Sequence, residues 1–379
     1  MKQLVLCFLL LMITQITVAQ KKKRAREYGL HFGVIPTGKQ NSITDVAGVK
    51  VGQVTLIKGN NIRTGATVIL PYEGNIFQNK VPAAIFAGNG FGKLSGSTQV
   101  AELGNIETPI VLTNTLNVAA GIDALVGYTL QQEGNEKIQS VNAIVGETND
   151  GYLNDIRGSH VTKNDILQAI KNAKSTPVEE GAVGAGTGTV CFGFKGGIGT
   201  ASRLLPKSLG GYTIGVLVQS NFGGVLQIDG VPVGRELQKF DFSNKLMNNT
   251  DGSCMIVVAT DAPLDSRNLE RLAKRAFLGL AKTGGIASNG SGDYIIAFST
   301  AAAIRIPFQP KEELQQVQLV WNDNLSPIFM AAIEATEEAI INSLFAAVSM
   351  TGVNGHQVES LPLEKVIPIL KKYNAVKSE

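Results

Sequence analysis

The stretch that decides the fold is NNTDGSCMIVVATD, residues 248–261. Its first five residues are polar turn formers, whereas residues 255–259 are apolar and rich in β-branched side chains. This change is typical of a loop that enters a buried strand. Ser253 lies at the junction, after Gly252, which adds almost no steric bulk. The stretch therefore predicts a buried central strand with a hydroxyl group at its entrance.

Ser253 needs a base before it can act as a nucleophile, and the usual base is scarce in this chain. The three histidines, His31, His160 and His356, lie in no catalytic-looking context. If the bond between Gly252 and Ser253 breaks, Ser253 gains a free α-amine with an ordinary pKa of about 7.7–8.0, which can take the hydroxyl proton. An ordinary Gly-Ser turn before a strand is the simpler interpretation of this stretch taken alone.

Residues 1–19 have the composition of a secretory signal peptide. Lys2 gives a positive start, residues 4–13 form an apolar run, and Ala19 is a small residue at the predicted cleavage position. The apolar run is too short to span a membrane, and no other stretch reaches that length. We therefore expect an exported, periplasmic protein without a membrane partner, whose mature chain starts at Gln20.

Charge and cysteine content argue against several classes of protein. Loss of Lys2 with the signal peptide lowers the formal charge from +3 to +2, and so small a charge argues against nucleic-acid binding. Cys191 and Cys254 remain in apolar surroundings, which favours two buried free thiols over one disulfide. No His, Cys, Asp or Glu group has ligand spacing, so we expect no metal and no cofactor.

Glycine is abundant, with 42 residues in the chain, and it is clustered. The block GNGFGKL, residues 88–94, does not match a phosphate loop, because Leu94 stands where Ser or Thr is required. Its glycines also lack dinucleotide-binding spacing, so we reject nucleotide binding there. The block at residues 181–200 is too hydrophobic for a disordered linker. It favours close approach of backbone segments, either between layers or around a substrate.

Two polar residues follow predicted strands. Glu147 comes after the strand predicted at residues 141–145, and Asn221 comes after the strand predicted at residues 212–219. A carboxylate just past a buried strand is a candidate site group, and an asparagine there can donate to an oxyanion. Local reading leaves two ordinary alternatives open, a turn or helix cap for Glu147 and a turn former for Asn221.

Apolar strands and amphipathic helices occur along the whole mature chain, which predicts a layered α/β or α+β fold. A helix capped by Asp265 or Ser266 is expected to run to about residue 283, with one apolar face. Residues 327–350 are apolar around much of a helix, which predicts burial or subunit packing. Because no repeat or linker divides the chain, we expect a single catalytic domain.

The order of the sequence blocks resembles the DmpA family of self-processing aminopeptidases, the L-aminopeptidase/D-esterase and β-aminopeptidase group. The matching blocks are NSITDVAGVKVG (41–52), GETNDGYLND (146–155), GAVGAGTGTVCFGFKGGIG (181–199), GVLVQSN (215–221), IVVATDAPL (256–264), SGDYIIAFST (291–300) and EATEEAIINSLFAAVSMTG (334–352). The resemblance implies an αββα sandwich of the type shared with ornithine acetyltransferases. It also implies self-cleavage into associated chains, 20–252 and 253–379, and a homo-oligomer, commonly a tetramer.

The resemblance further implies a role for each catalytic residue. Ser253 matches the nucleophile, and Gly252 precedes it at the autocleavage bond. Asn221 matches the asparagine whose side chain contributes to the oxyanion hole. Ser291 and Asp293 match the serine and the carboxylate that hydrogen-bond around the nucleophile. These matches imply an acyl-enzyme mechanism, in which we expect the serine's own amine to be the base and Ser291 and Asp293 either to relay the proton or to tune that amine.

On the substrate side, the resemblance assigns Glu147 to the substrate's free amino group. We therefore expect small peptides, amides or esters with a free amino terminus. Some members carry a tyrosine two residues further on, where this chain has Asn149, and this departure leaves the pocket's details open. L-α-, D- and β-aminoacyl substrates all remain open.

Two other classes of function compete with this one. An amino-acid acetyltransferase of the same fold is disfavoured by the serine at position 253 and by the export signal. An inert exported binding protein is disfavoured because all of the catalytic positions are retained.

Overall fold

The chain is described here by a computed structural model, which covers residues 23–241 and 252–376. The predicted signal peptide, and the turn predicted at residues 248–251, lie outside the described residues. The strands are β1 (Lys50–Lys58), β2 (Ile62–Leu70), β3 (Asn79–Gly90), β4 (Asn105–Ile106), β5 (Ile110–Asn114), β6 (Ile144–Thr148), β7 (Val190–Cys191), β8 (Phe194–Lys195), β9 (Gly197–Leu204), β10 (Thr213–Asn221), β11 (Ser253–Thr260), β12 (Gly292–Ser299), β13 (Ile306–Pro307), β14 (Met350–Thr351) and β15 (Gln357–Val358). The helices are α1 (Ser97–Leu103), α2 (Val118–Leu130), α3 (Lys163–Lys171), α4 (Val233–Glu236), α5 (Ser266–Lys282), α6 (Ser326–Ala346) and α7 (Leu363–Lys372).

Two β-sheets form the centre of the described part. The larger sheet has seven strands, in the order β13-β3-β12-β11-β10-β9 with β4 paired to β3. The smaller sheet has four strands, in the order β1-β2-β5-β6. In the larger sheet, β11 is antiparallel to β10 and parallel to β12. Strands from both sides of residue 252 therefore share one sheet.

The side chains of β11 alternate between two cores, as strand geometry requires. Met255 and Val257 belong to the core between the two sheets, together with apolar residues of β5. Cys254, Ile256 and Val258 face the other way and pack with residues of α5 and α6. On the far side, α2 and α3 cover the smaller sheet. The order helix, sheet, sheet, helix confirms the predicted αββα sandwich.

The predicted elements agree with the observed ones to within a few residues. Asp265 caps α5, and its Oδ1 accepts a hydrogen bond from the backbone N–H of Asn268 at 2.8 Å. The helix predicted at residues 327–350 ends at Ala346, since Ala347 is extended and leads towards β14. None of the described helices is both long and apolar enough to cross a membrane.

The glycine block at residues 181–200 brings backbone segments together, as predicted. A Cβ atom on Gly199 would lie 1.9 Å from the carbonyl oxygen of Ala339 in α6. A Cβ atom on Gly197 would lie 2.1 Å from the carbonyl oxygen of Gly181. Because neither position has room for a side chain, helix α6 and β9 approach more closely than other residues would permit.

Candidate active site

A small cavity of about 90 Å³ opens at the entrance of β11. Its lining combines residues at the ends of β3, β11 and β12 in the larger sheet with residues at the ends of β5 and β6 in the smaller sheet: Phe91, Gly92, Lys93, Thr115, Glu147, Asn149, Gly252, Ser253 and Gly290. The structure thus brings together the predicted nucleophile, the glycine at the predicted autocleavage bond and both predicted substrate-binding residues. A larger depression of about 470 Å³, around Tyr212 and Trp321, contains no predicted site residue.

Ser253 and Asn221 are neighbours across two antiparallel strands. Ser253 is the first residue of β11, only 5% exposed, and it pairs with Asn221, the last residue of β10. The Oδ1 atom of Asn221 accepts a hydrogen bond from the backbone N–H of Val190 at 2.9 Å. This contact fixes the side-chain amide and leaves its NH₂ group as the donor for another acceptor. Asn221 therefore lies in a strand and is not a turn former.

Ser291 and Asp293 flank the residue that pairs with the nucleophile. The hydroxyl of Ser291 donates to Oδ1 of Asp293 at 2.9 Å, and Gly292 between them pairs with Ser253. Burial raises the pKa of Asp293 to about 6, partly offset by hydrogen bonds from Ser291 and from the backbone of Cys254. The other carboxylate oxygen of Asp293, Oδ2, is buried and has no hydrogen-bond partner among the described residues. That position suits a group that holds a free amine on Ser253.

Glu147 approaches the cavity from the smaller sheet. It lies in β6 and is only 5% exposed, so it caps neither a turn nor a helix. Its Oε1 accepts a hydrogen bond from the backbone N–H of Lys93 at 3.0 Å, and its Oε2 accepts one from the hydroxyl of Thr115. The Lys93 ammonium lies 3.9 Å from Oε1 on a side chain that is 58% exposed. Glu147 therefore already faces one ammonium group, which a ligand's amino group can replace.

Asn149 lines the same cavity but is exposed. Its Oδ1 accepts a hydrogen bond from the backbone N–H of Gly151 at 2.9 Å, as in an Asx turn. A tyrosine from another strand lies close to the cavity. The hydroxyl of Tyr294 in β12 donates a hydrogen bond to the carbonyl oxygen of Gly92, a lining residue, at 3.2 Å. Burial raises the pKa of Tyr294, and the negative charge of Glu147 adds to that effect.

Sequence reasoning missed three residues of this site: Lys93, Thr115 and Tyr294. Lys93 belongs to the glycine block that was rejected as a phosphate loop, and that block lines the cavity instead. The one sequence feature that could have indicated Lys93 as a site residue was its position shortly after a predicted strand. Thr115 and Tyr294 carried no local signal, because their contacts depend on how the two sheets stack. Among the described residues, no group of three or more His, Cys, Asp or Glu is placed to hold a metal ion.

Known proteins are similar to this chain in sequence and in fold. Residues 41–358 match peptidase family S58. The chain belongs to this family. It is 43% identical to the beta-peptidyl aminopeptidase BapA of Sphingosinicella microcystinivorans over 92% of each chain.

Two solved structures extend the comparison. A beta-aminopeptidase from a Burkholderia species is 39% identical, with a TM-score of 0.86 over 94% of this chain and 100% of that one. The L-aminopeptidase D-Ala-esterase/amidase of Ochrobactrum anthropi is 36% identical, with a TM-score of 0.86 over 93% and 99%. That enzyme is described as a prototype of the serine aminopeptidases and as a variant of the Ntn hydrolase fold. The predicted family, sandwich fold and class of enzyme, a serine aminopeptidase, are thereby confirmed.

Cys254 provides a neighbouring control for the nucleophile. Its side chain is buried in the core that contains α5 and α6, and burial raises the pKa of its thiol well above the ordinary value. We expect Cys254→Ala to cut itself and turn over substrate like the parent, with a loss of about 1 kcal/mol in the free energy of unfolding. Gel analysis, kcat and chemical denaturation measure these three properties. An inactive Cys254→Ala beside an active Ser253→Ala would identify the thiol as the nucleophile.

Proposed function

We propose that the chain is a self-processing aminopeptidase that uses an N-terminal serine. It hydrolyses small peptides, amides or esters with a free amino terminus through an acyl-enzyme. The observation that carries this proposal is that Ser253 and the buried carboxylate of Glu147 line one small cavity. A buried carboxylate favours an ammonium partner, which sets the substrate's amino end at a fixed distance from the nucleophile.

Self-cleavage begins when Ser253 Oγ attacks the carbonyl carbon of Gly252. The oxygen of that carbonyl accepts a hydrogen bond from the backbone N–H of Gly292 at 3.2 Å, so a donor stands ready for the developing oxyanion. Breakage of the C–N bond leaves an ester on Ser253 and a free α-amine, because the departing nitrogen takes up the proton that the hydroxyl loses. Water then hydrolyses the ester, releasing a carboxylate on Gly252 and restoring the hydroxyl.

In turnover, the new α-amine of Ser253 takes the hydroxyl proton as the oxygen attacks the substrate carbonyl. The NH₂ group of Asn221 stabilises the oxyanion, and the proton passes to the leaving amine. Water attacks the acyl-enzyme in the second half of the reaction by the same route. Ser291 and Asp293 hold the amine, since their hydrogen-bonded pair flanks Gly292, the residue that pairs with Ser253.

The acyl group is proposed to be a β-aminoacyl group. Two curated relatives, 43% and 37% identical to this chain, are both named beta-peptidyl aminopeptidase, which supports this choice over L-α- and D-aminoacyl groups. Comparing kcat/KM for the matched amides of β-alanine, L-alanine and D-alanine tests it. A clear preference for the L-alanine or the D-alanine amide would contradict the β-aminoacyl assignment and leave the aminopeptidase proposal intact.

A homo-tetramer in the periplasm is also proposed. The tetramer is proposed because of the resemblance to the DmpA family, whose members assemble as homo-oligomers, commonly tetramers. Light scattering after gel filtration tests the assembly, and a monomer would contradict it. Cell fractionation tests the location predicted from residues 1–19.

The purified protein should consist of two fragments without added protease. Denaturing gels should show chains of residues 20–252 and 253–379, and N-terminal sequencing of the smaller chain should begin Ser-Cys-Met-Ile. The reason is that the nucleophile's base is created only by the cut. An inert binding protein would remain one band, and a fully active uncut chain would rule out the N-terminal-nucleophile mechanism.

Activity should fall more steeply with acidification below about pH 6. The amine of Ser253 must be neutral, so log kcat/KM should fall by one for each pH unit below its pKa. Asp293, whose pKa is raised to about 6, also takes up a proton there and can no longer hold the amine's charge. The parent's slope should therefore approach two, whereas Asp293→Asn should keep a slope of one. A pH profile of kcat/KM for both proteins decides this.

A further inference from the structure

Lys195 is a buried cation that the proposed mechanism leaves unexplained. Its side chain has no exposed surface, although lysine is almost never fully buried without a partner. Its ammonium group donates to the carbonyl oxygens of Gly186 at 2.9 Å, Thr189 at 2.8 Å and Gly196 at 2.7 Å. These partners all belong to the glycine block beside the active site, so the cation fixes the backbone of that block.

The contacts of Lys195 fit the charged form. Three carbonyl acceptors at hydrogen-bond distance require three N–H donors, and an ammonium has three whereas a neutral amine has two. Burial lowers the pKa of Lys195 to about 7, and the Asp150 carboxylate opposes that shift. Hydrogen bonds to the charged form also favour it.

One peptide group connects this cation to the oxyanion asparagine. The carbonyl of Thr189, which accepts from Lys195, belongs to the same planar peptide group as the N–H of Val190. That N–H donates to Oδ1 of Asn221 at 2.9 Å. The result is a chain of three groups, ammonium, peptide and side-chain amide. The dipoles of the peptide and the side-chain amide are aligned head to tail. The last group in the chain is the Asn221 amide, which carries the NH₂ donor.

We propose that Lys195 is a positioning residue that strengthens Asn221 as an oxyanion donor by polarising the peptide group between Thr189 and Val190. A charge at one end of a hydrogen-bonded chain strengthens the bonds that follow it. The benefit is realised only when negative charge develops on the substrate oxygen, so it raises kcat and leaves KM unchanged. This inference rests on the proposed function, in particular on the role of Asn221.

The test is Lys195→Gln in the full-length, self-processed protein. Glutamine keeps two N–H donors for the carbonyl oxygens and removes the charge. We expect kcat per cut chain to fall about two- to tenfold at constant KM, since one such donor is worth about 10²–10³ in kcat and polarisation adds about 10–30% per bond. Self-cleavage should keep its rate, because its oxyanion uses the Gly292 N–H. Lys195→Met, which fills the same space, carries the same expectation if the glutamine variant does not fold.

A double-mutant cycle separates this role from simple support of the fold. Asn221→Ala alone should lose about 10²-fold in kcat, and adding Lys195→Gln to it should cost nothing more. Arg63→Gln is the matched control, because the Arg63 guanidinium also donates to backbone carbonyls, those of Ile62 at 2.7 Å and Thr351 at 2.8 Å. It should change stability but not kcat.

Three results would overturn the inference: a parental kcat in Lys195→Gln, a loss that adds to that of Asn221→Ala, or a slower self-cleavage. Ser253→Ala tests the proposed function separately. An inactive Ser253→Ala beside a fully active Lys195→Gln would reject the role of Lys195 alone. An active Ser253→Ala would reject the proposed function.

Discussion

Ser253→Ala should yield a chain that stays uncut and releases no product from amide substrates. A single hydroxyl is required twice, first to break the bond after Gly252 and then to form the acyl-enzyme. Removing the serine nucleophile of a serine protease costs about 10⁶-fold in kcat, so the residual activity should fall below detection. Ser253 is only 5% exposed, but the change deletes a single oxygen atom and adds nothing to the core. The fold should therefore persist. Denaturing gels and an amide-hydrolysis assay on the same preparation measure both losses.

Ser253→Cys separates the two uses of the hydroxyl. A thiol is the stronger nucleophile, so we expect the chain still to cut itself. Amide turnover should nevertheless fall, because the site is shaped for an oxygen at a shorter attack distance. Self-cleavage that persists in Ser253→Ala would show that another residue breaks the bond.

The centre of the fold was predictable because its signals are local. The polar turn formers before Ser253 and the β-branched run after it predict the entrance of a buried strand, and the observed strand starts at Ser253 itself. The N-cap at Asp265 and the apolar face that follows it predict α5 in the same way. These features depend on neighbouring residues, which the sequence displays directly.

The assembly of the site was not predictable from local patterns. Asn221 faces Ser253 only because two strands pair in one register, and a shift of one residue would turn the amide away. Glu147 belongs to the other sheet, so its place beside Ser253 depends on how the sheets stack. For these pairings, the resemblance to a family supplied what composition and periodicity did not.

Lys195 shows that a signal can be present and still be missed. The sequence places one charged residue within a glycine-rich, apolar block, and such a block predicts burial of everything in it. A buried charge must find hydrogen-bonding partners, and the backbone carbonyls of this block supply them. The three carbonyl contacts of Lys195 are the consequence.

Glu147→Gln should abolish the preference for free amines and leave self-cleavage intact. The substrate ammonium loses a buried, charge-assisted partner, so kcat/KM on free-amine amides should fall about 10²-fold. The glutamine oxygen can still accept the Lys93 N–H, which keeps the loop in place. The bond between Gly252 and Ser253 has no free amine, so cutting should not depend on Glu147. Kinetics with matched free and N-acetylated amides measure the preference, and gels measure the cut.

Glu107→Gln is the matched control for this prediction. Glu107 is also a buried carboxylate, 3% exposed, that contacts a lysine, Lys80, at 2.5 Å and a backbone N–H, that of Asn142, at 2.8 Å. It does not line the cavity, so its replacement should lower stability while the parent's discrimination against N-acetylated substrates persists. In the parent, an acetylated substrate brings no ammonium group to Glu147, so its turnover should be very poor. Equal rates on N-acetylated and free-amine substrates would show that Glu147 does not bind the substrate's amino group and would indicate an endopeptidase or an acylase.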